Sequence, residues 1–191
     1  MTKLTLEEHK KLSRACSAAE ARTGARLALV TVPVSDHYRL YPFVYGGIAA
    51  VTVFVLLALL LPHLPVRAAF VITAAAAAYV MFMLEWMPLR LMTVPRHAKS
   101  WECWELARRA FAAHILAQAE RKPGILLFVS FGERYVEVVA DREVNSRVPQ
   151  AAWDAIVAEF LAHARQGRTA HALLTAVESC TKVLEQHYPP R

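Results

Sequence analysis

Two long apolar runs, residues 41–61 and 68–87, constrain this chain more than any other feature of its sequence. A helix rises about 1.5 Å per residue, so each run reaches roughly 30 Å as a helix, the thickness of a bilayer's hydrocarbon core. The six residues between the runs include Pro62 and Pro65, which leave room for a tight turn only. The pair predicts a transmembrane helical hairpin, residues 40–88 with its flanks, that returns the chain to the side it left.

The residues that flank the hairpin predict its orientation and its anchors. Arg39 precedes the first run and Arg90 follows the second, whereas the short outer turn carries a single arginine. Positive residues in short loops are retained in the cytoplasm, so both termini are predicted to be cytoplasmic. Tyr41, Tyr45 and Trp86 lie at the inner ends of the two runs, where aromatic side chains sit at the headgroup level. These residues form the predicted membrane anchor.

The overall charge and the cysteines narrow the function classes. The net charge is +6, but the basic residues are spread along the chain rather than gathered in one patch. An anionic membrane surface fits this charge better, and no nucleic-acid partner is expected. Cys16, Cys103 and Cys180 lack the paired spacing of a disulfide framework or a zinc site, which fits a reducing cytoplasm.

Alternating helix and strand patterns occur on both sides of the hairpin. Thr5 and Glu8 match a capping box that opens the first helix. A basic linker with prolines is predicted over 89–98, directly after the hairpin. The predicted elements of the remaining chain are, in order, a helix ending at Gly24, a buried strand at 27–32, a helix from Ser100 to about 120, a buried strand at 125–131, a strand at 134–141, a helix from Pro149 to Gly167 and a helix at 169–186.

The two soluble segments, residues 1–39 and 96–191, are predicted to fold together. A strand that is apolar on both faces needs neighbouring strands and covering helices, and neither segment supplies these alone. Helical segments connect the first strand to the second, so these two should pair in parallel, and a short turn makes the third antiparallel to the second. The sequence therefore predicts an α/β fold, a small mixed sheet sandwiched by helices and interrupted by the two-helix hairpin.

Several segments carry a resemblance to a known family. They are AAEARTGAR at 18–26, PGILLFVS at 123–130, ERYVEVVAD at 133–141, VPQ at 148–150, Trp153, and EQHYP at 185–189. In their order and spacing they resemble the TPM domain family, and within it the short bacterial membrane proteins that carry their spans inside the domain. The resemblance covers residues 5–36 and 104–189, and it implies an α/β/α sandwich in a bacterial inner-membrane protein with two spans.

The resemblance also suggests a phosphatase activity and a cation site. Some exported relatives are associated with acid phosphatase activity and calcium binding, and an Asp-Asn-Gly lead commonly precedes their second strand. This chain has Lys122, Pro123 and Gly124 there, so an oxygen ligand for a hard cation is lost. Asp141 and Glu143, near the end of the third strand, are the best remaining acidic pair for calcium or magnesium.

Asp36 is a separate acidic candidate, because it follows the first strand at the edge where α/β sheets usually bind ligands. A hairpin returns the third strand antiparallel to the second, so Asp141 should finish at the opposite end of the sheet. Asp36 and Asp141 are therefore not expected to share a site.

Two hypotheses of function follow. The leading one is a non-enzymatic, membrane-anchored TPM-like domain that binds another membrane protein, or a second copy of itself, in assembly or quality control at the cytoplasmic membrane face. It requires no cofactor. The alternative is a divalent-cation-dependent phosphatase that uses Asp141 and Glu143.

Overall fold

The computed structural model describes residues 5–35, 38, 40–118 and 122–189, without the side chains of Met87, Pro88 and Arg90. The chain divides into two compact units. The first comprises Met1–Ser35 and Ser100–Arg191, and the second comprises Asp36–Lys99. Asp36 and Arg39, two residues singled out from the sequence, lie outside the described residues.

The described elements follow the predicted order closely. They are α1 (Leu6–Arg22), β1 (Arg26–Val32), α2 (Leu40–Leu60), α3 (Val66–Glu85), α4 (Met87–Thr93), α5 (Arg96–Phe111), a π-helical turn (Ala112–Leu116), β2 (Gly124–Ser130), β3 (Tyr135–Ala140), α6 (Arg142–Arg147), α7 (Gln150–Arg165) and α8 (Thr169–His187). The capping box of α1 forms as predicted, with the Thr5 hydroxyl accepting from the Glu8 amide and the Glu8 carboxylate accepting from the Thr5 amide.

The three strands form one mixed sheet in the order β1-β2-β3. β1 pairs with β2 in parallel, with Leu27 opposite Ile125, and β2 pairs with β3 antiparallel, with Ile125 opposite Ala140. The predicted fold class and both strand pairings are therefore confirmed. The end of β3 and the end of β1 lie at opposite ends of the sheet, because Ala140 is level with the start of β2 and Val32 is level with its last residue.

Burial differs between the two strands that the sequence predicts to be covered on both faces. Every residue of β2 is buried, as predicted for a central strand. In β1 only Leu27 is buried and the other residues are partly exposed. The prediction was wrong for β1 because β1 is an edge strand, and a continuous apolar run does not distinguish an edge strand from a central one.

Helices cover the sheet on both faces and form two hydrophobic clusters. The larger cluster joins α1, α6, α7 and α8 to one face of the sheet, and its largest members include Trp153, Ile125, Leu127, Leu173 and Leu184. The smaller cluster joins α5 and the π-helical turn to the other face, and its members are Cys103, Ala107, Phe111, Ile115, Leu126, Phe128 and Val139. The arrangement is the predicted sandwich, with more helices on one face than on the other.

The second unit contains two helices that are long and apolar enough to cross a membrane by length and composition, α2 and α3. In the most apolar 18-residue stretch of each helix, only 6% of the residues of α2 and 11% of those of α3 are buried. The helices pack against each other where Gly46 lacks a side chain, since a Cβ there would lie 2.8 Å from the Met81 side chain.

The segment after the second apolar helix departs from its prediction as a linker. It is helical over most of its length, because α4 occupies Met87–Thr93 and α5 begins at Arg96 rather than at Ser100. Pro95 explains the earlier start of α5: its carbonyl accepts a hydrogen bond from the Lys99 amide at 3.2 Å. A proline at the beginning of a helix costs no backbone hydrogen bond, so a proline-rich sequence is compatible with short helices here.

Candidate functional site

The acidic pair predicted from the sequence lies at the start of α6. Asp141 is the N-cap of this helix, and its carboxylate accepts a hydrogen bond from the Arg142 amide at 2.6 Å. Its own amide donates to the Gly124 carbonyl at 2.9 Å, which fixes it to the first residue of β2. Glu143, in the first turn, forms an ion pair with Arg147 at 3.2 Å. Both carboxylates are therefore engaged in the local structure of α6.

Basic side chains share the surface around this pair. An open depression of about 520 Å³ is lined by Asp141 and Glu143 together with Lys122 and Arg142. The two cations offset the negative potential that a calcium or magnesium ion requires. Within the described residues, no group of three or more histidine, cysteine, aspartate or glutamate side chains is placed to hold a metal ion.

The C-terminal segment closes over the same end of the sheet. The guanidinium of Arg147 lies 4.8 Å from the centre of the Tyr188 ring, and only 7% of Tyr188 is exposed. The Tyr188 carbonyl accepts a hydrogen bond from the Gly24 amide at 2.8 Å. Burial raises the pKa of the Tyr188 hydroxyl, and the positive charge of Arg147 opposes that rise. Arg147 thus links the first turn of α6 to the end of the chain.

A polar cluster that sequence reasoning did not predict lies at the opposite end, where β1 and β2 finish. The Ser130 hydroxyl donates to the Glu133 carboxylate, whose other oxygen accepts from the Ser35 amide at 2.9 Å. The Ser35 hydroxyl lies 3.0 Å from the Cys103 sulfur. Ser130 and Cys103 are buried. The cluster joins the segments that follow β1 and β2 to α5.

The chemistry of Cys103 is set by its surroundings. Burial raises the pKa of the thiol to about 11, the Glu133 carboxylate raises it further, and hydrogen bonding with Ser35 lowers it. The protonated thiol therefore predominates at neutral pH, and a thiol in this form is a poor nucleophile. The cluster is suited to holding three chain segments together rather than to covalent catalysis. Its only sequence signal is Ser130 at the end of an apolar strand, because the members are up to 98 residues apart.

A second polar contact lies beside this cluster. The Tyr135 hydroxyl donates to the Glu137 carboxylate at 2.8 Å, and its ring meets Phe128 edge to face. Burial raises the pKa of the Tyr135 hydroxyl, and the hydrogen bond to Glu137 raises it further. The Tyr135 hydroxyl and the Glu137 carboxylate are thus hydrogen-bonded to each other within β3.

The predicted anchor residues lie at matching ends of the two long helices. Tyr41 and Tyr45 are in the first turns of α2, and Trp86 is the C-cap of α3 with 70% of its surface exposed. The Tyr45 hydroxyl donates to the Thr93 carbonyl at 2.9 Å, which fixes α2 to the end of α4. Arg39 and the side chain of Arg90 are outside the described part of the structure.

Comparisons with known proteins agree with this architecture. No curated protein matches the chain. The NMR structure of the BA42 protein from the psychrophilic bacterium Bizionia argentinensis is similar in fold, with a TM-score of 0.58 and 14% sequence identity, over all of this chain and 87% of that chain. The family model of the TPM domain matches residues 87–183, 97 of the 191 residues. This match includes β2, β3 and the helices that flank them, and the chain belongs to the TPM domain family.

Proposed function

We propose that this protein is a membrane-anchored TPM domain that acts as a protein-interaction module, in assembly or quality control, at the cytoplasmic face of the bacterial inner membrane. The observation that carries the proposal is the exposed apolar surface of α2 and α3. Large side chains along both helices are mostly in contact with solvent, including Phe43, Leu59, Phe70 and Phe82, each at least 65% exposed. Such a surface is stable only when lipid or protein covers it.

Besides two helices of sufficient length, the second unit has aromatic residues at the helix ends and close helix packing, both of which are typical of a membrane anchor. Tyr45 and Trp86 are amphipathic side chains at matching ends of α2 and α3, the positions that such residues favour at a membrane surface. The close approach at Gly46 is typical of helices that pack within a bilayer.

The free edge of β1 supports an interaction role for the first unit. The backbone amide of Arg26 donates to the Pro123 carbonyl. In a parallel pair the residues alternate, so the even-numbered residues of β1 direct their backbone groups toward β2 and the odd-numbered ones direct theirs outward. The Leu27 amide is satisfied by the Glu20 carboxylate at 3.3 Å. Within the described residues, Leu29 and Thr31 have no such partner on the outer side. An extended segment of a partner could pair there by adding a strand.

The alternative function is the hydrolysis of phosphate esters. It would require Asp141 and Glu143 to bind a divalent cation, whereas both carboxylates are engaged within α6. The purified chain in detergent is to be assayed on a generic phosphomonoester with and without calcium or magnesium. Activity that depends on the cation and is lost in Asp141→Ala would contradict a purely non-enzymatic role.

Topology reporters test the anchor. The full chain, fused at either end to a reporter that functions only in the cytoplasm, should be active in both fusions and should resist extraction from membranes at alkaline pH. Matched fusions to a reporter that functions only after export should be inactive at both ends. An exported terminus, or a chain released by alkaline extraction, would refute the membrane part of the proposal.

A matched pair of variants tests the interaction at β1. Thr31→Pro removes the outward amide without removing a hydrogen bond to β2, whereas Thr31→Val keeps the amide and the shape of the side chain. Crosslinked complexes of the full chain should be lost in Thr31→Pro and kept in Thr31→Val. Slower amide exchange over residues 27–32 on complex formation would identify strand addition. Equal crosslinking by both variants would exclude the β1 edge as the interface.

A further inference from the structure

One side of α5 carries an aromatic–basic column, which we define as Trp101, Trp104 and Arg108. Trp101 and Arg108 are exposed, and Trp104 is half-buried. The two indole rings are stacked with centroids 5.2 Å apart, and the Arg108 guanidinium lies 4.2 Å from the centre of the Trp104 ring. Trp101 is 54% exposed, although tryptophan is costly to leave in water. We propose that this column docks on the anionic headgroups of the membrane that anchors the protein, an inference that rests on the proposed membrane attachment.

The column is not part of the packing that holds the domain together. The adjacent side of α5 supplies Cys103, Ala107 and Phe111 to the smaller hydrophobic cluster, and these residues are buried. Trp101, Trp104 and Arg108 are spaced by three and four residues, so they lie above one another on a neighbouring face of the helix, and none of them is a member of that cluster. The sheet is therefore covered without them, and the column is available to a partner.

Charge identifies an anionic partner. Arg109 is paired with Glu105, so its charge is locally balanced. Arg108 makes no ion pair among the described residues, and its cation–π contact leaves its outer donors available for phosphate oxygens. Arg96 and Lys99 add two positive charges to the first turn of the same helix. Tryptophan and arginine together match the mixed apolar and anionic chemistry of a headgroup layer.

The position of the column along the chain favours a lipid surface over a soluble anion. Three of the four tryptophans, Trp86, Trp101 and Trp104, occur within residues 86–104, directly after the second long apolar helix. The fourth, Trp153, is 1% exposed in the larger hydrophobic cluster. A segment tethered so soon after a membrane-crossing helix stays close to the bilayer surface, where even weak contacts are populated.

The experiment uses the full chain labelled with fluorotryptophan in lipid nanodiscs. Nanodiscs of phosphatidylcholine alone are compared with nanodiscs that also contain phosphatidylglycerol, each with and without a gadolinium chelate on a trace lipid headgroup. Fluorine NMR then gives one resonance per tryptophan. In the anionic nanodiscs the Trp101 and Trp104 resonances should broaden with gadolinium, and added salt should reverse the effect. Trp153 should remain sharp in every sample.

Two arginine variants separate a specific docking surface from general attraction. Arg108→Gln should lower the docked-to-undocked ratio about fivefold, the size expected for one basic side chain at an anionic surface. Arg165→Gln removes the same charge from an exposed position on α7 and should leave the broadening unchanged. An unshifted Trp153 resonance in both variants verifies that the fold is intact.

The same spectra distinguish failure of this inference from failure of the membrane attachment. Broadening of Trp86 alone, with sharp Trp101 and Trp104 resonances in both lipids, would overturn the docking surface and keep the anchor. Equal broadening of Trp101 in neutral and anionic nanodiscs would also overturn it, because charge would then have no part. Absence of Trp86 broadening would overturn the anchor itself.

Discussion

Gly124, the first residue of β2, is predicted to be a position where one added methyl group destabilises the fold. A Cβ at this position would lie 2.8 Å from Cγ2 of Ile115 and 3.2 Å from both the Cβ and the carbonyl oxygen of Arg26. The π-helical turn brings Ile115 to this place, and the pairing of β1 with β2 fixes Arg26. Among the described glycines only Gly167 has a positive φ, so the cost at Gly124 comes from contact and not from backbone strain.

The magnitude follows from two opposing effects. Forcing a methyl group into a closely packed place costs about 1–3 kcal/mol. Replacing glycine by alanine also restricts the unfolded chain, which stabilises the fold by about 0.4–1 kcal/mol. Gly124→Ala should therefore lower the free energy of unfolding by about 1–2 kcal/mol. For a folded unit of this size that corresponds to a fall of roughly 3–8 °C in melting temperature.

A double-mutant cycle with Ile115→Ala isolates the contact. Ile115 is 4% exposed, so Ile115→Ala alone should cost about 2–5 kcal/mol. It also removes the atom nearest to the new methyl group. In that background Gly124→Ala should be neutral or stabilising, which gives a coupling energy of about 1–3 kcal/mol.

The assay is thermal unfolding of the full chain in detergent, followed with a dye that fluoresces on reacting with thiols. Cys103 and Cys180 are both 0% exposed, so the reaction beyond that of the partly exposed Cys16 reports opening of the first unit. Equal destabilisation by Gly124→Ala in the wild-type and Ile115→Ala backgrounds would refute the assignment of the cost to this contact. A stabilised single variant would refute the close approach altogether.

Three further predictions concern helix ends and pH. Thr5→Ala removes half of the capping box and should cost about 1 kcal/mol, measured by thermal unfolding, whereas Ser13→Ala on the exposed side of α1 should not destabilise the protein. Asp141→Ala removes the N-cap of α6 and should cost about 0.5–2 kcal/mol, and Asp141→Asn should restore most of the loss; equal costs for both would refute the cap. Burial raises the pKa of Cys180 from 9.0 to about 12, so above pH 9 the unfolded chain loses a proton that the folded chain keeps. Stability should therefore fall as pH rises from about 9 to 12, and Cys180→Ala should reduce the slope of melting temperature against pH.

The strands and their pairing could be predicted from the sequence because the signals for them are local and strong. β2 is an apolar run of strand length, and the short turn before Tyr135 allows an antiparallel partner only. The parallel pairing of β1 followed from the helical segments between it and β2. In contrast, the exposure of β1 depends on which strand occupies the edge, and that is decided by the whole assembly.

The helices after the second apolar run were harder to predict because proline has two opposite meanings. Within a helix it removes a hydrogen bond, but at the first turn it does not. Pro95 lies directly before α5 and accepts a hydrogen bond from its first turn rather than interrupting a helix. The polar cluster of Ser35, Cys103, Ser130 and Glu133 could not be predicted from the sequence. Its members are distant in the chain and become neighbours only after both strands and α5 have packed.

The same cluster explains how the first unit accommodates an insertion of about sixty residues. The chain leaves this unit after Ser35 and returns to it at Ser100. The Ser35 hydroxyl and the Cys103 sulfur are 3.0 Å apart, so the points of departure and return are neighbours within the unit. Insertions are tolerated where the chain leaves and re-enters a unit at neighbouring positions, because the packing of that unit is then undisturbed. The N-terminal strand is meanwhile held by the C-terminal segment through the hydrogen bond between Gly24 and Tyr188, so the two segments of the first unit depend on each other.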